Sequence, residues 1–189
     1  HKAETRERVL KEAAKEIRAK GPDNVGVAGV MARAGLTHGG FYAHFASKDA
    51  LVKEAIGTMF ADARARSERI DAAGDPRAVL RAYVDFYLSP AHRDSRDRGC
   101  PLPTLSGDFA RSRADTRERF GAGVTGIADR LAVPLAALGY PAAEAHALLA
   151  QLVGGVALAR AVGDPALSDA VLEDTHASIV ARYGLETAQ

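Results

Sequence analysis

Gly35-Leu36-Thr37-His38-Gly39-Gly40-Phe41-Tyr42-Ala43-His44-Phe45-Ala46-Ser47-Lys48-Asp49-Ala50-Leu51 is the stretch that decides the fold. Before it, Val27, Val30, Met31 and Ala34 repeat at helical spacing, which predicts a short helix over 27–34. Gly35 suits the left-handed geometry that ends such a helix. Thr37 can cap a second, very short helix through about His44. Two short helices separated by three residues form the helix-turn-helix pattern. Leu36 is expected to tuck between them, and Phe41 and Phe45, four apart, to face the preceding helix. Thr37, His38, Gly39, Gly40, Tyr42 and His44 are then left toward solvent or a nucleic acid. Spacing alone also permits a glycine-rich hinge carrying two aromatic core residues.

Outward from this segment, glycine and proline punctuate helical periodicity, and no stretch shows bounded β alternation. Nine helices are expected. The first covers about 3–20, with Val9, Ala13 and Ile17 on one stripe and Gly21 as the stop. The second and third are those above. The fourth spans about 48–71, apolar at Leu51, Val52, Ala55, Ile56, Met59 and Phe60 and charged from Asp62 to Arg69. The fifth starts at Pro76 and ends before Ser89-Pro90. A polar loop at 92–98 follows, then helices over about 104–110, 114–138 (kinked at Pro134), 142–162 and 168–183. The fold class is all-α.

Composition narrows the function classes. The 189 residues are 47% hydrophobic and 26% charged, ordinary for a globular protein, and no apolar run is long enough to span a membrane. One cysteine, Cys100, can form neither an internal disulfide nor a zinc site, which fits a reducing cytoplasm. No cofactor or metal is expected. Net charge is +1, unevenly spread: residues 1–55 hold ten Lys+Arg against seven Asp+Glu, and all six lysines precede residue 54. A basic front on a faintly acidic remainder suits a nucleic-acid end and a second end with another task.

The quoted stretch, with the helix-one stripe and Gly21, resembles the DNA-binding signature of the TetR family of transcriptional regulators over residues 5 to about 56. The cap, glycines, aromatics, His44 and Lys48 fall in register; Gly26 stands where a hydroxyl cap is usual, and Met31 where Ala is common. The remaining residues match only in helical layout. The resemblance implies a DNA-binding domain at 1–57 and a ligand-binding and dimerisation domain at 58–189. It also implies a homodimer on palindromic double-stranded DNA, two recognition helices about 34 Å apart, and release by a small-molecule effector; repression is the default role. Thr37, His38, Tyr42, His44 and Lys48 would meet phosphates or base edges, and Gly39 and Gly40 would let the backbone approach closely. The short third helix has no Arg, Lys, Asn or Gln, so the commonest base readers are missing. Sequence choice is therefore expected to rest on Thr37, His38, Tyr42, Arg33 and DNA shape.

For the C-terminal part, aromatic and apolar residues recur at Phe60, Tyr83, Phe86, Tyr87, Leu105, Phe109, Phe120, Val124 and Ile127. Core packing explains each singly. The resemblance adds an effector pocket on the same helices, suited to a hydrophobic or aromatic ligand, with Tyr83, Tyr87, His146 and Gln151 as polar handles and Cys100 near its mouth. Leu152, Gly155, Leu158, Ala159, His176, Ile179 and Val180 would form the interface between copies; burial within one chain is the alternative. Cys100 follows a basic loop and could be an oxidant-sensing thiol, or a small buried hydrophobe. A thiol enzyme using Cys100 with His92 as base lacks an evident orienting group and oxyanion site, so no enzymatic activity is expected. A helical interaction module that has lost its DNA-binding surface is opposed by Thr37, Tyr42, His44 and Lys48.

Overall fold

The computed structural model describes residues 2–71 and 74–186, apart from the side chain of residue 71. Its elements are α1 (Lys2–Lys20), α2 (Val27–Arg33), a 3-10 helix (His38–Ala43), α3 (Lys48–Asp71), α4 (Pro76–Tyr87), α5 (Pro90–Asp94), α6 (Leu102–Phe109), α7 (Ala114–Ala137), α8 (Glu144–Ala161) and α9 (Pro165–Tyr183). The described residues are all-α, as the sequence predicts, but with ten helical elements rather than nine. The added one is α5. Ser89-Pro90 reads as a helix stop, yet it also starts a helix. The Ser89 hydroxyl accepts from the His92 N–H, and Pro90 sits in the first turn, where its missing N–H costs nothing. Asp164-Pro165 does the same for α9, which begins three residues earlier than its periodicity suggests. α7 continues through Pro134.

Among the described residues, contacts group those up to 63 with 96–123, and those of 64–95 with those from 124 onward. α3 and α7 each begin in the first unit and end in the second.

The first unit packs the apolar stripe of α1 (Val9, Ala13, Ile17) with Val30, Met31, Phe41, Phe45 and the inner face of α3 (Leu51, Val52, Ala55, Ile56, Met59), all buried. Gly35 closes α2: its N–H bonds to the Ala32 carbonyl and the Leu36 N–H to the Met31 carbonyl, with φ +70° at the glycine. This pairing satisfies two of the carbonyls a helix end leaves open, and it needs the left-handed conformation glycine tolerates.

The second unit is built on α8 against α9. Leu148, Leu149, Leu152, Val156 and Ala159 are buried with Leu172, Ile179 and Tyr183. At Gly155 an added methyl would lie 2.9 Å from Thr175 Cγ2 and 3.2 Å from Leu88 Cδ2, so this glycine permits close approach inside the chain. α5 is pinned by charge: Arg160 donates to the His92 and Arg93 carbonyls at 2.9 Å, and Arg93 bonds Ser168 and Asp169 on α9.

Candidate nucleic-acid interface

The first-unit core leaves one side of the 3-10 helix uncovered. Phe41 and Phe45 are 1% and 3% exposed with their rings stacked, 5.6 Å between centroids, so the hydrophobic effect fixes which side faces inward. Two arginines of α1 hold the segment from behind. Arg8 Nε donates to the Ala34 carbonyl at 2.8 Å, in the turn. Arg6 donates to the His44 carbonyl, pairs with Glu54 on α3 and lies over the Phe45 ring at 4.8 Å.

The outward side carries Thr37, His38, Gly39 and Tyr42, all exposed. Tyr42 is 74% exposed, although its ring is a large apolar surface that contacts Phe41 edge-on. Gly39 and Gly40 have no positive φ. A methyl at Gly39 would meet nothing within 4 Å, and one at Gly40 would make only ordinary contacts with Met31 and Thr37. Nothing in the chain's own packing requires glycine at either position.

Several details differ from the sequence reading. Thr37 holds the N-cap position, but its side chain makes no capping hydrogen bond. Leu36 is only half-buried. His44 is half-buried, with Nδ1 shielded and lacking a hydrogen-bond partner. Lys48 Nζ donates to the Asp23 carbonyl at 3.0 Å. Arg33 is paired with Glu16 at 2.8 Å through one guanidinium nitrogen, and its side chain is 41% exposed. Gly26 caps α2 without a side-chain bond, as expected.

The C-terminal candidates divide between the units. In the first, Phe60, Phe109 and Phe120 form an aromatic cluster with centroid spacings of 5.5 and 4.8 Å, and Leu105 and Cys100 are buried. Gly123 makes room for it, because a methyl there would overlap the Phe60 ring. In the second unit Tyr83 stacks on Tyr87 at 5.8 Å, and Tyr87 and Phe86 enclose His92. Burial pushes the His92 pKa down to about 4, and Nδ1 donates to the Tyr87 carbonyl at 2.6 Å. That ring is neutral and engaged, which makes it a poor general base. Val124 is half-buried. His146 is exposed, and Gln151 bonds Ser178 on α9, so neither joins an aromatic cluster.

The interface set needs correction. Leu152, Gly155, Ala159 and Ile179 are buried within the single chain and offer no surface to a second copy. Leu158 is 60% exposed, and His176 and Val180 are half-exposed. No described helix is long and apolar enough to cross a membrane, and the described residues contain no group of three potential metal ligands.

Residues 9–55 match the family model for bacterial regulatory proteins of the tetR family. No curated protein matches the chain significantly. Among solved structures, the chain is similar to a TetR-family transcriptional regulator from Agrobacterium tumefaciens, at 20% identity and TM-score 0.80 over 96% of this chain and 98% of that one. It is similar to a TetR transcriptional regulator from Chloroflexus aurantiacus, at 25% identity and TM-score 0.73 over 95% and 94%. The reduced form of Escherichia coli NemR shares the fold at 22% identity and TM-score 0.80, over 93% and 95%. Residues 9–55 thus match the DNA-binding segment of the tetR-family regulators, and the chain as a whole has the fold of the TetR-family structures.

Proposed function

We propose that the chain binds a palindromic operator as a homodimer, reads it with the exposed side of residues 37–44, and represses until a hydrophobic or aromatic effector binds within 58–189. One observation carries the DNA part: an exposed tyrosine beside two glycines that the fold itself does not require. Bare backbone admits a phosphate or groove edge, and the Tyr42 hydroxyl can donate to a phosphate. Outward-facing Leu158, His176 and Val180 are the proposed contact between copies. The half-buried Tyr83 and Phe86 of the second unit are the proposed effector contacts.

The test is binding of the full chain to duplexes selected from a random pool. Selection of a palindrome whose affinity falls steeply with salt supports the reading, because each neutralised phosphate contributes a slope of about −0.9. Binding without symmetry and without salt dependence contradicts it. The thiol-sensor reading is opposed by the burial of Cys100 at 5% exposure, since burial disfavours a thiolate.

A further inference from the structure

We propose that Arg18 is a positioning residue for DNA recognition, fixing the attitude of α1 and, through α1, of the DNA-reading segment; this rests on the DNA-binding reading above.

The side chain of Arg18 is 2% exposed, rare for a guanidinium. It draws three acceptors from two separate places. NH2 donates to the Met59 carbonyl at 3.1 Å and to Asp62 Oδ2 at 2.8 Å, both on α3, and NH1 donates to the Asp97 carbonyl at 3.2 Å. The planar fork of arginine serves such divergent acceptors at fixed angles; an ammonium does not. A few residues on, Gly21 approaches Asp108 of α6, where a methyl would sit 3.3 Å from the carboxylate.

At the other end of α1, Arg6 donates to the carbonyl of His44, the last residue of the DNA-reading segment, and Arg8 to that of Ala34, in the turn before it. One helix thus carries anchors at both ends. Twelve residues separate Arg6 from Arg18, or about 18 Å of helix. A tilt of about 5° about the Arg18 end would displace the Arg6 end by roughly 1.6 Å, enough to break a hydrogen bond. The position of Thr37–His44 therefore depends on where Asp62 and Asp97 hold Arg18, although neither residue belongs to the reading surface.

Two substitutions test this in the full chain, with affinity for a duplex selected by the wild type measured well below each variant's melting temperature. Asp62 is 42% exposed, so Asp62→Asn should preserve the fold. Removing a negative charge near a DNA-binding domain would, by electrostatics alone, tighten binding; positioning predicts about threefold weaker binding with an unchanged salt slope. Arg18→Lys keeps the charge and should weaken binding roughly tenfold. Glu118→Gln, the same charge change on an exposed residue of the first unit, should leave affinity equal or slightly tighter. Unchanged or tighter binding in Asp62→Asn overturns the proposal, whether or not Arg18→Lys folds. If the wild type selects no duplex at all, the DNA-binding reading itself fails; normal wild-type binding with an unaffected Asp62→Asn sinks only the role of Arg18.

Discussion

Gly39 separates what the fold needs from what the function needs. Its φ is not positive and its surroundings are open, so alanine there loses nothing in packing and gains by restricting the unfolded chain. Gly39→Ala should therefore raise stability by about 0.5–1 kcal/mol in chemical denaturation while weakening operator binding. Equal or tighter DNA binding would show that the bare backbone has no partner. The sequence carried this residue clearly, because the helix-turn-helix spacing already set Gly39 outward and Phe41 and Phe45 inward. Arg18 was less legible. It follows Ala14 by four and so lies on the buried stripe of α1, where a cation demands partners. That signal was present, but the partners at 62 and 97 are distant in sequence.

At the level of elements, the sequence reads best where one face is apolar and the other polar. α1 and α3 meet that condition, and their expected apolar residues are inside, apart from the half-buried Phe60. α8 does not. It is nearly free of charge all round, so periodicity cannot say which apolar residues meet α9 and which meet solvent, and Leu152, Ala159 and Leu158 were assigned to one surface when they lie on two. Gly155 belongs to the inner side: Gly155→Val should cost about 2 kcal/mol by overpacking against Thr175 and Leu88, seen as a lower denaturation midpoint. α5 was hidden because Ser-Pro both ends and starts helices. Its His92 gives a pH signature. The folded pKa, about 4, is below the unfolded value near 6.5, so the unfolded chain binds the extra proton between them. The stabilising contribution is full above pH 6.5 and is lost as pH falls toward 4, by about 3 kcal/mol. His92→Gln should flatten that part of the stability profile; an unchanged slope would assign it to other groups.

For the whole molecule, the fold class and the match to the tetR-family DNA-binding segment were readable from one 17-residue stretch, whereas the effector site was not. The aromatic residues expected around it fall into separate clusters in two units, and aromatic spacing on a helix looks the same whether it fills a core or lines a cavity. Assembly is more accessible to test. Leu158 is exposed in the single chain, so Leu158→Glu should leave the helical fold intact, shift the protein from dimer toward monomer in sedimentation, and weaken operator binding through lost bivalency. A dimer of unchanged affinity would place the contact elsewhere. The central claim is that residues 37–44 meet the duplex. Hydrogen exchange of the full chain, with and without a selected duplex, measures this directly. Slowed exchange across Thr37–Phe45 on adding DNA is the predicted result; protection confined to other segments, with this one exchanging as in the free protein, would contradict the account.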